Sequence, residues 1–547
     1  MTERPHTRAP RTQAPLTWED VLSRNPAERI KQEKNPFDLI DELPQLVEVG
    51  YEAVSEDDIF RLRWWGLYHD KPKTGEFMMR IKLAGGVVTP EQLDAIGRIS
   101  REFGKNTGEI TTRQDIQLHR IELPALPEVF NRLRDAGLTT SGACGDILRN
   151  ITSCPVAGID PEELFDVGPV LQELVDFFYG NREYSTLPRK HKWSVAACPY
   201  HCNAPHIHDV SLVGTEQDGE VGFAVLVGGG LSTAPRLGRS LGVFIRPGEA
   251  REVLQRILDV WSGDLRYRRA RGKARFKFMV DDYGPEEILR RVEERLGRKL
   301  TPLKELPVAK GRTDHMGVRP EKVAGLYYIG FPVFAGLLRG DQMSAVAEVA
   351  AEYGRDVRFT REQNLIVTGV PEAAVDRVIG AMEQIGISLR VNPIRGRSIA
   401  CTGNPYCNYA VGDTKPRLVQ LVEHLERRFG EAAGEIRIHL DGCPHACGQH
   451  FVGDIGIQGT TRRDEDGKIM AYDIYLRGGL GKEVALGTPL ARRVPTGELD
   501  AYVERLVGWY LKERAEGESL QAFCNRHSDE EILAVMEGSA WQERLSG

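Results

Sequence analysis

Two segments of the chain place their apolar residues at the same intervals. Each has four apolar residues at steps of three, three and four: Leu93, Ile96, Ile99 and Phe103 in one, and Met343, Val346, Val349 and Tyr353 in the other. This spacing puts the four side chains on one face of a helix. Because a glycine follows each segment, we predict amphipathic helices that begin at Pro90 and Gly340 and end at Gly104 and Gly354.

Strands are predicted around both helices. Residues 77–83 form a strand that reaches the turn Gly85-Gly86, and Thr112-Arg113 leads into a strand through Ile116. After the second helix the same arrangement returns at Thr360-Arg361. A repeated helix–strand unit of this kind is typical of a ferredoxin-like half-domain, so we predict an α+β fold with an internal duplication.

The duplication extends beyond these half-domains. The segment that begins at Asp209 resembles the one that begins at Asp454, and this match aligns Cys198-x3-Cys202 with Cys443-x3-Cys447. The same alignment places residues 143–150 over residues 400–408. We therefore predict two copies of a module pair related by pseudo-two-fold symmetry. The predicted divisions are an arm (1–35), half-domains (36–140 and 313–390) and cofactor-binding domains (141–312 and 391–547).

The composition is that of an ordinary globular protein, with 547 residues, 41% apolar and 28% charged, and a formal net charge of -7. A negative net charge argues against a nucleic-acid partner. No apolar run reaches the length of a membrane span, and the polar N-terminus lacks a signal-peptide core, so no membrane association and a cytoplasmic location are expected. In that compartment the nine cysteines are expected to be reduced, which favours metal ligation over disulfides.

Four cysteines form two close pairs, Cys401-x5-Cys407 and Cys443-x3-Cys447. Four thiolates hold either a structural zinc ion or a 4Fe-4S cluster. Zinc sites usually space paired cysteines by two to four residues, so the first pair favours a cluster. Buried cysteines without a metal are the remaining alternative.

The other cysteines have simpler interpretations. Cys144, Cys198 and Cys202 lie beside several histidines and imitate a zinc site, but the repeat accounts for their positions without a second metal. Cys154 and Cys524 are isolated in sequence and are predicted to be ordinary packed cysteines.

These motifs resemble those of the siroheme-dependent sulfite and nitrite reductases. The resemblance runs from about residue 60 to about residue 535 and rests on the four-cysteine pattern and on four further stretches: residues 77–80, 112–114, 143–150 and 187–190. It implies one siroheme and one 4Fe-4S cluster, with Cys447 bridging a cluster iron and the siroheme iron. The reaction it implies, sulfite to sulfide or nitrite to ammonia, consumes six electrons.

The resemblance also implies an anion-binding quartet of Arg80, Arg149, Lys190 and Lys192. Arginine grips oxyanion oxygens through its fixed fork, and a lysine crowded by like charges becomes a proton donor. Since the alignment puts Arg149 over Cys407, we hypothesise that the first copy exchanged metal ligands for an anion cage. The two loops should then face each other across the siroheme.

Siroheme carries many carboxylates, and the resemblance implies further contacts. They are Arg113, Gln117, and Lys273 and Arg275 within the run 271–277. That run alternates basic and apolar residues, which favours a strand with one buried face over an exposed basic helix end.

Sulfite is favoured over nitrite because plant-type nitrite reductases carry Asn where Lys192 stands, although members often reduce both anions. Some sulfite reductases of this family link a Tyr and a Cys covalently, and Tyr68 and Cys144 are the corresponding pair here. No dinucleotide fingerprint opens a βαβ unit, so a separate donor, ferredoxin, is expected to dock on a local basic face. A non-catalytic iron–sulfur protein or a zinc-stabilised interaction protein would leave the cations and the duplication unexplained.

Overall fold

The computed structural model describes residues 16–465 and 467–539. Four sheets alternate along the chain, two of the half-domain type and two of the cofactor-domain type, which confirms the duplicated α+β fold. Within the described residues, no helix has the length and apolar character needed to cross a membrane.

The first half-domain has a four-stranded antiparallel sheet in the order β1-β2-β5-β4, and the described residues of the arm form helices. Helix α5 begins where predicted, because the Thr89 side chain accepts a hydrogen bond from the Gln92 amide and Pro90 occupies the first turn. The elements are α1 (Trp18–Leu22), α2 (Pro26–Glu33), α3 (Leu43–Val49), α4 (Glu56–Leu62), β1 (Leu67–His69), β2 (Glu76–Ile81), β3 (Val87–Val88), α5 (Pro90–Phe103), β4 (Glu109–Ile110), β5 (Ile116–Glu122) and α6 (Leu126–Asp135).

The first cofactor-binding domain has a six-stranded sheet in the order β11-β10-β9-β8-β7-β6, in which β6, β7 and β8 run parallel. Its elements are β6 (Thr152–Ser153), α7 (Gly168–Phe178), β7 (Trp193–Ala196), β8 (Val210–Gln217), β9 (Glu220–Val227), β10 (Arg239–Ile245), α8 (Ala250–Ser262), α9 (Arg266–Arg269), α10 (Phe276–Leu296) and β11 (Thr301–Pro302).

The second half repeats both sheets. Its half-domain contains β12 (Gly317–Pro320), β13 (Leu326–Phe331), α11 (Gly340–Tyr353), β14 (Val357–Phe359), β15 (Leu365–Pro371) and α12 (Val375–Gln384). Its cofactor-binding domain contains α13 (Ile394–Arg397), β16 (Ile399–Ala400), α14 (Lys415–Phe429), β17 (Ile438–Asp441), β18 (Ile455–Asp464), β19 (Gly467–Leu476), β20 (Thr488–Pro495), α15 (Leu499–Glu513), α16 (Leu520–Asn525) and α17 (Asp529–Glu537). Strands β16, β17 and β18 run parallel, as their counterparts do.

The two half-domains share one core, and they meet where Gly97 of α5 approaches Gly340 of α11. A Cβ atom on Gly97 would lie 2.6 Å from the carbonyl oxygen of Gly340, and one on Gly340 would lie 2.6 Å from that of Gly97. Strand β3 of the first half also pairs with β14 of the second. The two helix backbones therefore approach each other closely at Gly97 and Gly340, where neither residue has a side chain.

The strand register corrects the predicted alignment around Cys144. Ser153 of β6 pairs with Val195 of β7, and Ala400 of β16 pairs with Leu440 of β17. Cys154 therefore corresponds to Cys401, because each directly follows the first parallel strand. The predicted pairings of Cys144 with Cys401 and of Arg149 with Cys407 were wrong. They failed because sequence similarity begins only after β7, whereas backbone pairing fixes the register before it.

The predicted arm is partly helical, and one local prediction needs correction. Helices α1 (Trp18–Leu22) and α2 (Pro26–Glu33) lie in the arm, and the ammonium of Lys31 is buried 2.6 Å from Glu28. Residues 1–15 lie outside the described residues. The run 271–277 is a short 3-10 helix followed by the start of α10, not a strand. Alternation over so few residues cannot separate a strand from a helix, and Phe276, Met279 and Val280 are buried together at helical spacing.

Candidate active site

The four paired cysteines meet at the carboxyl ends of the parallel strands β16 and β17. Cys401 follows β16, Cys407 lies in the next loop, and Cys443 and Cys447 follow β17. The Gly442 amide donates a hydrogen bond to the Cys401 sulfur over 3.2 Å. Amide donors of this kind stabilise thiolates that ligate a metal.

Burial raises the pKa of three of these thiols, and their neighbours add to the effect. The pKa of Cys443 rises to about 12 through burial and the nearby Cys447 thiol, and the pKa values of Cys401 and Cys407 also rise. Four thiols packed this closely can all become thiolates only when a metal cation binds between them. The donor set therefore fits a thiolate-bound metal centre.

The first half-domain holds the cysteine loops from the other side. The Thr112 hydroxyl donates to the Cys447 carbonyl oxygen over 2.8 Å. The Lys71 ammonium donates to the Asn404 side chain over 2.5 Å, and the Tyr406 ring stacks on His119 at 3.9 Å between centroids. The centre therefore lies between the first half-domain and the last cofactor-binding domain.

A group of cations faces Cys447. Arg80, Lys190 and Lys192 each interact electrostatically with this thiol, and Arg149 acts on Lys190. The structure thus brings together the four residues that the sequence placed in one anion-binding site. Arg80 projects from β2, and the two lysines lie in the loop that enters β7.

Burial, together with the neighbouring Arg275, Arg189 and Arg149, lowers the pKa of Lys190 to about 7. The pKa of Lys192 is well below its ordinary value for the same reasons, with burial first. Within the described chain, neither ammonium has an ion-pair partner, and the Nε atoms of Arg80 and Arg113 have no hydrogen-bond acceptor. Such unmatched cations fit a polyanionic group bound beside Cys447.

Arg149 holds the loop that carries Cys144. Its guanidinium donates to the Gly145 carbonyl oxygen over 2.8 and 3.0 Å and to the Ala143 carbonyl oxygen over 3.1 Å. The hypothesis that Arg149 replaced a cluster ligand fails with the corrected register. Its predicted location in the cationic group stands, because Arg149 lies close enough to depress the pKa of Lys190.

Comparison with known proteins settles the family. The model described as the nitrite and sulphite reductase 4Fe-4S domain matches residues 144–300 and 396–545, and the ferredoxin-like half-domain model matches 69–136 and 319–385. The chain belongs to the nitrite and sulfite reductase family. A relative from Mycolicibacterium paratuberculosis, named sulfite reductase [ferredoxin] 1, is 33% identical and covers 93% of this chain and 96% of its own.

Other members of the family carry different names. An assimilatory ferredoxin-dependent nitrite reductase from Haloferax mediterranei is 34% identical, with 91% of each chain covered. The solved structure of the Mycobacterium tuberculosis NirA protein is 31% identical with a TM-score of 0.89, covering 93% of this chain and 97% of that one. As a family member, this chain is an oxidoreductase that uses a siroheme and a 4Fe-4S cluster.

Cys401, Cys407, Cys443 and Cys447, which the sequence analysis expects to hold the cluster, are the four cysteines that the structure gathers. The residues predicted to contact siroheme differ in their availability. Arg113 donates to the carbonyl oxygens of Asn150 and Trp193, and its Nε stays open. Arg275 is buried in an ion pair with Asp209 at 2.9 Å. Lys273 is exposed, with its ammonium 4.5 Å from the ring centroid of Phe278.

Gln117 is engaged by protein groups in this reductase. Its amide nitrogen donates to Glu109 over 2.6 Å and to Thr402, and its oxygen accepts from Arg80 over 3.0 Å. Its position therefore suits the orientation of Arg80. Tyr68 and Cys144 both lie within electrostatic reach of Arg80, and their covalent link stays a prediction.

The sequence reading missed Lys82 as part of the cationic group. Burial lowers the pKa of Lys82 to about 7, and its ammonium lies 3.2 Å from the ring centroid of Tyr179. Burial also raises the pKa of the neighbouring Asp115 to about 6. Lys82 lies two residues after Arg80 on the same stretch of chain, and this spacing was the signal available in the sequence.

Proposed function

We propose that this enzyme reduces sulfite to sulfide with six electrons from ferredoxin. The observation that carries the proposal is the position of Lys190 and Lys192, which face Cys447 without carboxylate partners among the described residues. With Arg80 and Arg149 they make a strongly cationic pocket. A small anion with several oxygens is the ligand such a pocket suits.

The four cations are proposed to divide the work. Arg80 and Arg149 stay charged and hold oxyanion oxygens in a fixed orientation. Lys190, with a pKa lowered to about 7 by burial and by neighbouring cations, gives up a proton readily near neutral pH. Protons delivered at this point combine with departing oxygens to form water. The positive charge also stabilises negative charge that develops on those oxygens.

Arg113 and Arg275 are proposed to help hold siroheme carboxylates, with Lys273 at the solvent edge and Gln117 acting through Arg80. When bound, the siroheme and the 4Fe-4S cluster would carry the electrons that ferredoxin delivers. Cys447 is proposed to join the two, since it is the exposed member of the quartet and the one that faces the cations. Its carbonyl oxygen is fixed by Thr112, which keeps the loop in place.

Nitrite is the second candidate substrate, because relatives named nitrite reductases match 90–91% of the chain, nearly as much as the 93% matched by a relative named sulfite reductase. Lys192 supports sulfite, since a second ammonium suits a dianion better than a monoanion. We propose that this residue sets the preference between the two anions.

The test compares sulfite and nitrite as substrates for the wild type and for Lys192→Asn. We expect kcat/KM for sulfite to fall by about 10- to 100-fold, as loss of a charge-assisted contact predicts. The value for nitrite should fall much less. Lys304→Asn, at an exposed lysine paired with Asp218, is the matched control. An unchanged ratio of the two kcat/KM values would refute the role of Lys192.

Ferredoxin as donor and a cytoplasmic location complete the proposal. All nine cysteines are unpaired with one another in the structure, which suits a reducing compartment. Ferredoxins are acidic, so docking should weaken as salt screens the attraction. Turnover with reduced ferredoxin should therefore decline with ionic strength, whereas turnover with an uncharged small-molecule reductant should not. Equal salt dependence in both assays would contradict electrostatic docking.

A further inference from the structure

A second group of thiols lies in the first cofactor-binding domain. Cys154, Cys198 and Cys202 are all buried, and the sulfurs of Cys198 and Cys202 are 3.9 Å apart. The Cys154 sulfur lies within 4.8 Å of both. Cys154 was predicted to be an isolated packed residue, and the fold instead brings it next to the pair that lies more than forty positions later.

A histidine completes this group. The Nε2 atom of His315 is 3.9 Å from the Cys154 sulfur and within 4.8 Å of the Cys202 sulfur. Its other ring nitrogen lies 3.4 Å from the Tyr328 hydroxyl, an arrangement that turns Nε2 toward the thiols. Metal-bound histidines are commonly oriented through the second ring nitrogen in this way.

The corrected register shows where this group comes from. Cys154, Cys198 and Cys202 occupy the positions that Cys401, Cys443 and Cys447 occupy in the second copy. Asp160 stands six residues after Cys154, as Cys407 stands six after Cys401, and its carboxylate lies within 4.8 Å of the Cys154 and Cys198 sulfurs. The first copy has therefore kept three of the four cluster cysteines.

The distances decide which metal the site would take. A tetrahedral zinc ion with Zn–S bonds of about 2.3 Å separates its sulfurs by about 3.8 Å. The observed 3.9 Å between Cys198 and Cys202 agrees with this value. A four-iron cluster holds its four cysteines around a larger core than a single zinc ion, so its ligand sulfurs lie farther apart than these two. A disulfide would need sulfurs at about 2.05 Å.

We propose that Cys154, Cys198, Cys202 and His315 bind one structural zinc ion, with Asp160 beside it. The site lies opposite the redox centre in the pseudo-symmetric frame and plays no part in electron transfer. Its ligands come from the first cofactor-binding domain and from the segment that leads into β12. The ion would fasten that segment to the loop after β7, where the Lys310 amide already donates to the Pro199 carbonyl oxygen over 2.9 Å.

Elemental analysis of the purified holoenzyme tests this directly. We expect about one zinc per chain beside about five irons, four for the cluster and one for siroheme. X-ray absorption at the zinc edge should show three sulfur neighbours at about 2.3 Å and one nitrogen at about 2.0 Å. Absence of zinc, additional iron in its place, or a Cys198–Cys202 disulfide found by mass spectrometry would overturn the proposal.

Variants locate the ion. Cys202→Ser and His315→Ala should each lose most of the zinc while keeping the siroheme absorption bands. Cys524→Ser is the matched control, because Cys524 is equally buried but lies in the core of the last domain. Zinc retained in both ligand variants would refute the assignment. If these variants fail to fold, the absorption spectrum of the wild-type zinc still decides, since oxygen-only neighbours would contradict the site.

Discussion

Gln117→Leu distinguishes two roles for this glutamine. If Gln117 positions Arg80, the kinetics for the anion should change. If it holds the siroheme, the cofactor content should fall. The side chain is 4% exposed and touches Arg80, Glu109 and Thr402. Leucine fills a similar volume, and Glu109 keeps the Thr402 hydroxyl at 2.8 Å after the change. The substitution therefore removes the acceptor for Arg80 without leaving the Glu109 carboxylate bare.

The expected magnitude follows from the lost hydrogen bond. Hydrogen bonds to charged groups contribute about 1.5–3 kcal/mol. Because Arg80 is partly exposed and water can replace the lost acceptor, the variant should lose about 1–2 kcal/mol of the free energy that holds Arg80 in position. That range corresponds to a fall of about 5- to 30-fold in kcat/KM for the anion. Siroheme content should stay at the wild-type level, because the Gln117 amide nitrogen already donates to Glu109 and Thr402 and leaves no donor for the siroheme.

The assay measures siroheme absorbance per chain and steady-state kinetics with a small-molecule reductant. Gln458→Leu is the control, because Gln458 is also buried and accepts one hydrogen bond, from Tyr475 over 3.2 Å, away from Arg80. A drop in siroheme content in Gln117→Leu with unchanged KM would show that Gln117 holds the cofactor. The positioning argument would then be refuted.

Two further predictions concern stability. Burial opposes protonation of His119, but the carboxylates of Asp70 and Glu109 together outweigh it and raise the pKa from 6.5 to about 8. The protonated form therefore contributes about 2 kcal/mol below pH 6.5, which is lost as pH rises through 8. In denaturant unfolding, the difference in free energy of unfolding between the wild type and His119→Gln should therefore shrink as pH rises through 8. A difference that does not change with pH would contradict this role of His119. Gly97→Ala should lower the free energy of unfolding by about 1–3 kcal/mol, because the new Cβ meets the Gly340 carbonyl. Gly380→Ala is the control, because Gly380 lies in a helix with open space around it, and this variant should raise the free energy of unfolding by about 0.5–1 kcal/mol. If both variants changed the free energy of unfolding in the same direction, the close approach at Gly97 would be refuted.

The elements that the sequence predicted well are those set by local chemistry. Helices α5 and α11 begin and end at the predicted residues, because periodicity, first-turn residues and terminal glycines all act within a few residues. The two close cysteine pairs could also be recognised from the sequence, since the spacing within each pair is a local property. The strand predicted for residues 271–277 was wrong, because alternation over so short a run does not distinguish a strand from a helix.

The alignment error around Cys144 has a different cause. Parallel strands are paired through backbone hydrogen bonds between segments far apart in sequence, and no side-chain pattern marked the register of β6. Only that register shows that Cys154 is the counterpart of Cys401. The tertiary fold also brings His315, from the segment before β12, to the thiol group, although it stands far from the three cysteines along the chain.

The sequence by itself determined the duplicated α+β frame and the close spacing of the paired cysteines, because both are patterns within a few residues. The cations assigned to the anion came from the resemblance to the family, and their role stays a prediction. Tertiary structure alone decided that Gln117 serves Arg80, that Lys82 joins the cations, and that the first copy keeps a thiol group of its own. The reason is that burial and long-range pairing choose the partners of a side chain, and neither is encoded in the few residues around it.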